Sequence, residues 1–259
     1  MQKVSFVGSG NLAWHLAPAL ENAGYPVREV YSQHAKHATA LVGRLYEAHV
    51  NNSLDFSTSQ SRIFIISVSD DAIQEVAQQI VLPEDAIVVH TSGSQPLSIL
   101  DDAGSQSMGV FYPLQTFSKT KKVDFKTTPI FIESENSDVE KTLLKMAKAI
   151  SGKVKLISSE ERKALHVAAV FASNFTNHML TLAKQVADQN DLDFELLKPL
   201  IAETLNKSLE IGPEKSQTGP AVRGDFEILE RHMEFLKENP EVAEIYKVIS
   251  QHIIDSSEQ

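Results

Sequence analysis

Short apolar runs alternate with helical spacings along the first part of the chain. The runs predict strands at 3–7, 27–31, 63–68, 86–90, 107–111 and 129–132, with weaker ones near 46–50 and at 153–157. Between them, apolar positions spaced three and four apart predict helices at 11–23, 35–44, 70–80, 95–103 and 137–151. Ile63-Phe64-Ile65-Ile66-Ser67-Val68 is almost continuously apolar, as a central strand covered on both faces should be. Strands that alternate with helices imply a doubly wound α/β domain on a parallel sheet. After residue 157 strand signals stop. Ser158-Ser159-Glu160-Glu161 reads as a capped helix start, and that helix runs to about Asn190. Asp191 or Asp193 caps the next helix, which Pro213 ends at the latest. Gly212, Pro213, Gly219, Pro220 and Gly224 mark a loop over 212–224. Asp225 opens a helix to about Glu238, Pro240 starts the last one, and Asp255 to Gln259 read as a disordered tail. The pattern therefore predicts an α/β domain at 1–157 and an all-helical domain at 158–259.

The first strand runs straight into Gly8-Ser9-Gly10-Asn11-Leu12-Ala13. This is a G-x-G-x-x-A turn between a strand and a helix, the dinucleotide fingerprint of a Rossmann domain. The first glycine allows the tight turn, the second lets a pyrophosphate approach the backbone, and the alanine lets helix and strand pack closely. The helix N-terminus then faces the phosphates. Gly8, Ser9, Gly10, Asn11 and Leu12 are accordingly expected to hold a nicotinamide dinucleotide. An acidic residue at the tip of the second strand would bind the ribose 2′-OH of NAD. Here that tip is Ser32-Gln33-His34-Ala35-Lys36, with no carboxylate, while Glu29 falls inside the strand. Ser32, Gln33, His34 and Lys36 can form a neutral-to-basic pocket for a 2′-phosphate. NADP is the favoured cofactor, with NAD the alternative should a register shift bring Glu29 to the tip.

Composition narrows the partners. The chain has 259 residues, a net charge of −10 and no cysteine. An acidic balance argues against nucleic acid, and the lack of thiols removes disulfides and zinc–thiolate sites. No metal site is expected. The only basic cluster, Lys119-Thr120-Lys121-Lys122, reads as a solvated loop. No stretch of about eighteen apolar residues occurs, and the N-terminal run is a strand rather than a signal peptide. A cytoplasmic protein acting on a small molecule is the expectation.

Rossmann enzymes place their chemistry beyond the carboxyl ends of the strands. Val68 and Ser69 follow the fourth strand and Thr91 and Ser92 the fifth, so all four are candidate cofactor contacts. Asp70 reads as a helix cap, and His90 as a satisfied strand-end histidine. Beyond the sixth strand, Tyr112 and Gln115 can wall a substrate pocket or pack the domain interface. On the long helix, His166, Ser173, Asn174 and Asn177 fall within an arc of about 100° at ideal helical geometry. Most of the remaining perimeter is apolar, so the helix is expected to be buried and its polar arc to need partners. Arg223 can bind a substrate carboxylate in a bidentate pair, or simply pair with Asp225.

Taken together, Gly8–Ala13, Val68–Ile73, His90–Ser94, Pro113–Phe117, His166–Asn174 and Thr218–Asp225 with His232 resemble a family of Rossmann-like oxidoreductases. Its C-terminal half is an all-helical domain of unknown function. The likeness spans nearly the whole chain. Broader relatives are pyrroline-carboxylate reductases, deazaflavin-linked NADP reductases and β-hydroxyacid dehydrogenases. The resemblance implies a nicotinamide cofactor and dimerisation through the helical half, and leaves the substrate open. Two departures stand out: Tyr112 replaces a common histidine before Pro113, and Gln33 replaces a common arginine. Where the β-hydroxyacid dehydrogenases carry a lysine and, one turn on, an asparagine, this chain has His166 and Val170, so their mechanism does not transfer directly. The resulting expectation is hydride transfer to or from a small carbonyl or imine compound. His166 would be the acid/base and Asn174 would orient the substrate. The other reading is a non-catalytic NAD(P) sensor or nucleotide-binding scaffold.

Overall fold

The structure, a computed structural model, describes residues 2–257 and divides into two compact units, 1–173 and 174–259. The first unit is built on eight strands: β1 Val4–Val7, β2 Val27–Tyr31, β3 His49–Asn51, β4 Ile63–Ile66, β5 Ile87–His90, β6 Ser107–Pro113, β7 Ile130–Glu133 and β8 Val154–Leu156. They form one sheet in the order β3-β2-β1-β4-β5-β6-β7-β8. All neighbours are parallel except β6 and β7, which pair antiparallel. The expectation of a parallel sheet is corrected there. No helical crossover joins β6 to β7, and a parallel connection needs one of a dozen or more residues, usually helical.

Helices α1 Asn11–Asn22, α2 Ala35–Val42 and α4 Ser137–Ile150 share a core with Val4, Phe6, Ile63, Ile65 and Val89. On the opposite face Val7, Phe64, Ile66 and Val88 pack with α3 Ile73–Gln79 and a 3₁₀ segment at Leu97–Ala103. The expected helix at 95–103 is thus a 3₁₀ turn, ended by Gly104 at φ 68°. The strands between these layers are buried on both faces, which is why they read as apolar runs rather than alternations. Ala13, Leu16, Ala17 and Leu20 form the buried stripe of α1, at the spacing that marks an amphipathic helix.

Helix α5, Ser159–Ala169, starts at a full capping box. Ser158 Oγ accepts from the Glu161 N–H, and the Glu161 carboxylate accepts from the Ser158 N–H. A π-helical stretch, Val170–Phe175, follows, and then α6 Thr176–Asp188. The π turn breaks the constant 100° step on which the polar arc was projected, so positions beyond it leave that arc's phase. The helix is also not buried: Val167 is 50% and Phe171 63% exposed. The expectation of burial is corrected there, because the apolar positions Val167 and Phe171 face outward.

The second unit contains α7 Lys198–Ile211, the short α8 Pro213–Ser216 and α9 Pro220–Arg223, α10 Phe226–Phe235 and α11 Pro240–Ser257. The expected loop at 212–224 thus holds two single-turn helices, each with proline in its first turn. Asp255 to Ser257 are helical rather than disordered, while Glu258 and Gln259 lie outside the described residues. A small core forms around Leu236, Val242 and Ala243. Among the described residues no helix is long and apolar enough to cross a membrane.

Candidate functional site

A cleft of about 740 Å³ opens beyond the carboxyl ends of β1, β2, β4 and β5. Gly8, Ser9, Gly10, Asn11, Leu12, Ser32, Gln33, Val68, Ser69, Thr91 and Ser92 all line it. Gly8 holds φ +110°, and a Cβ there would lie 2.2 Å from the Ser67 carbonyl oxygen, so only glycine fits. A Cβ on Gly10 would meet nothing nearer than that oxygen at 3.9 Å, so the space beside it stays open for a ligand. The first turn of α1 has no acidic residue and no side-chain cap. Its leading N–H groups are therefore available to an anion. An anionic dinucleotide fits this donor set.

The adenosine end departs from expectation in three ways. Lys36 is exposed and does not line the cleft, but His37 does, with its ring edge-on to His34 at 5.4 Å. Glu29 accepts from the hydroxyls of Ser5 and Ser59. Its partner across the sheet is Ser5, two positions short of the strand tip. No register shift brings it to a ribose. Lys119, expected in a solvated loop, lines the cleft and stacks on Trp14. Nothing in the local sequence signals this; the long β6–β7 connection carries it there.

At the Thr91–Ser92 wall the chain turns through Gly93, and against Gly93 sits a pair of proton-bearing side chains. Tyr112, on β6, has its hydroxyl 3.0 Å from His166 Nδ1 on α5, with the rings edge-on at 6.1 Å. A Cβ at Gly93 would lie 2.4 Å from His166 Nδ1 and 2.8 Å from Tyr112 Cζ. Glycine is required for the pair to close over the loop. Burial pushes the Tyr112 phenol up, with Asp70 adding to the shift and Arg162 opposing it. Tyr112 thus stays protonated through neutral pH.

Arg162, which sequence reasoning missed, locks this arrangement. It is fully buried. Its Nη1 donates to the carbonyls of Ser92 at 2.9 Å and Gln95 at 2.7 Å, and its Nη2 donates to Glu133 Oε2 at 2.8 Å. The Ser159 hydroxyl completes the cage, accepting from Nη2 and donating to Glu133 Oε1. One guanidinium thereby ties the β5 loop, β7 and α5 together. A cation in an otherwise acidic first helical turn, against the usual dipole preference, was the available cue. Asp70 does not cap its helix as expected; its carboxylate accepts from Ser94 Oγ, pinning the same loop. His90 Nδ1 accepts from the Ser92 N–H at 3.1 Å, and among the described residues its buried Nε2 meets no hydrogen-bond partner. Burial, reinforced by Arg162, lowers the His90 pKa to about 3.

Three expected site residues remain. Gln115 is exposed, and its carbonyl accepts from Thr116. Asn174 begins the second unit. There Arg223 places Nε and Nη2 on Asp225 Oδ2, both at 2.8 Å. Asp225 is thereby occupied and does not cap α10 with its side chain. The second unit also has an apolar cavity of about 570 Å³, bordered by the His232–Tyr246 hydrogen bond of 2.7 Å.

Residues 1–111 match the Rossmann-like domain family, and residues 128–253 match a domain of unknown function, DUF2520. BF3122 from Bacteroides fragilis, named as a candidate NADP oxidoreductase, is 38% identical, with 98% of each chain covered and a TM-score of 0.90. Protein TM1727 from Thermotoga maritima is 25% identical, with 98% of each chain covered and a TM-score of 0.70. A reductive aminase from Aspergillus terreus, solved with NADPH and ethyl levulinate, shares the fold. It is 14% identical over 99% of this chain and 94% of its own, with a TM-score of 0.72. No curated protein matches the sequence.

Proposed function

The chain belongs to the family that joins a Rossmann-like domain to the DUF2520 domain, and from that premise we propose that it is an NADP-dependent oxidoreductase acting on a small carbonyl or imine compound. One observation carries the reading: the Tyr112–His166 pair closes on Gly93, the residue after the cleft-lining Ser92. Acid/base groups beside a dinucleotide cleft are what hydride transfer needs and what a passive scaffold does not. The BF3122 name and the NADPH complex of the reductive aminase support the cofactor class.

Gly8 to Leu12 would hold the pyrophosphate, Ser32 and Gln33 the adenosine end, and Val68, Ser69, Thr91 and Ser92 the nicotinamide side. The bound dinucleotide supplies the hydride. This chain's residues supply the proton. With Nδ1 of His166 donating to the Tyr112 oxygen, Nε2 would give its proton to the carbonyl oxygen or imine nitrogen of the substrate, and would take it back in the reverse direction. Asn174 would orient the substrate. Tyr112 fixes the imidazole ring. Arg223 would receive a carboxylate only by leaving Asp225, so a carboxylate is not required of the substrate. The chain works as a homodimer.

Calorimetric titration of the purified protein with NADPH and NADH tests the cofactor; NADPH should bind at least about tenfold tighter, the order expected of one added charged contact. His166→Gln should lower turnover by about 10²–10⁴ while leaving NADPH affinity unchanged. Tight cofactor binding with no turnover across a carbonyl and imine panel would instead favour the sensor reading.

A further inference from the structure

We propose that Lys119 is the phosphate-binding cation of the dinucleotide cleft. This rests on the cofactor reading above and adds a specificity residue that the β2 tip does not supply. Among the described residues lining the cleft, Lys119 is the only lysine or arginine, whereas Asp70 and Glu75 bring two carboxylates. The β2 tip offers only the neutral Ser32 and Gln33 beside the histidines 34 and 37. A dinucleotide with two or three phosphate groups would otherwise meet a wall of acidic balance. A lysine is a compact point charge on a flexible stem, suited to such a group.

The segment carrying Lys119 is fixed rather than trailing. His15, on the exposed side of α1, places Nε2 2.8 Å from the Ser118 carbonyl oxygen and its ring 6.1 Å from Phe117. Phe117 in turn lies 6.1 Å from the buried Phe125. The Thr120 N–H donates to Ser118 Oγ, closing a local turn. Lys119 Nζ rests 4.9 Å above the ring of Trp14, one turn along α1 from Gly10. The long β6–β7 connection is thus tied across the outer face of α1. It delivers one cation to the same cleft as the helix N-terminus.

Two phosphates of NADP could be the partner, the pyrophosphate or the 2′-phosphate, and the test separates them. NADPH and NADH are titrated calorimetrically into the full-length protein and into Lys119→Ala, Lys119→Arg and Lys121→Ala. Lys121 is in the same basic cluster but outside the cleft. Lys119→Ala should weaken NADPH at least about tenfold, the cost of one charge-assisted contact. Lys119→Arg should recover most of that loss, and Lys121→Ala should stay within twofold of wild type. An NADH affinity that falls equally assigns the pyrophosphate; an unchanged one assigns the 2′-phosphate. Wild-type affinity for both cofactors in Lys119→Ala overturns the proposal and leaves the cofactor reading standing. Failure of the wild-type protein to bind either cofactor overturns both.

Discussion

At the scale of single residues, the site is organised by groups whose environments oppose their intrinsic chemistry. His90 is the sharpest case. It is fully buried, and its pKa falls from the ordinary 6.5 to about 3 because desolvation and the Arg162 charge both disfavour the imidazolium. The folded state therefore holds His90 neutral over a range where the unfolded chain protonates it. Its stabilising contribution is fully present above pH 6.5 and is lost as pH falls from there towards 3. The total at stake is on the order of a few kcal/mol. Urea unfolding of wild type and His90→Asn at several pH values from 7.5 to about 4 should show a steeper decline for the wild type, by up to about 1.4 kcal/mol per pH unit. Parallel declines would mean that His90 is protonated equally in both states. The strand-end role of this histidine was legible in the sequence, since its neighbours are small and its strand apolar. Its missing Nε2 partner was not, because that depends on what α5 and the Gln95–Pro96 backbone place around it.

At the scale of elements, the sequence revealed which segments would be strands and helices, and the structure revealed what joins them. The central strands β1, β4 and β5 stand out as apolar runs because a sheet covered on both faces leaves no polar alternation there, whereas the partly exposed edge strands β3 and β8 carry weaker signals. The Gly8–Ala13 turn announced the cleft for a local reason: Gly8 answers a backbone constraint and Gly10 leaves the space beside it open. The Tyr112–His166 end of the cleft was less legible. Tyr112, Gly93 and His166 come from three distant segments, and only the fold shows that they touch. Arg162 is the element-scale tie between those segments, and its removal measures how much they depend on it. Arg162→Met would leave Glu133, whose side chain is only 15% exposed, without its cation, and two loop carbonyls without donors. Breaking such a buried pair by deleting one partner costs about 3–5 kcal/mol. The urea midpoint should fall accordingly, while Arg162→Lys, with the charge kept but the planar fork lost, should fall less. A change under about 1 kcal/mol for Arg162→Met would show that the β5 loop is held by other contacts, with the Asp70–Ser94 hydrogen bond first among them.

At the scale of the whole molecule, the helical part exposes a large apolar surface. Helix α7 has no buried residue along its 14 positions. Leu200 is 64%, Leu205 46% and Leu209 86% exposed along that stretch. An isolated helix of this length is marginal in water, since helices in proteins are stabilised by packing of an amphipathic face. Phe226 and Phe235 on α10 and Val248 on α11 are exposed as well. Patches of this kind mark association surfaces, and a second copy of the same chain is the partner always present at matching concentration. The net charge of −10 opposes approach only at long range, where physiological salt screens it beyond about 8 Å. Sedimentation velocity at micromolar concentration should therefore give a single species of twice the 28.6 kDa chain mass. Leu200→Asp combined with Leu209→Asp should shift it to monomer, because two carboxylates would be desolvated in each apolar contact. If the wild-type protein is monomeric and α7 still resists amide exchange, the helix holds by contacts within one chain and the dimer fails. If the double variant remains dimeric, α7 is not the seam, and the exposed apolar face at Val167 and Phe171 becomes the surface to test.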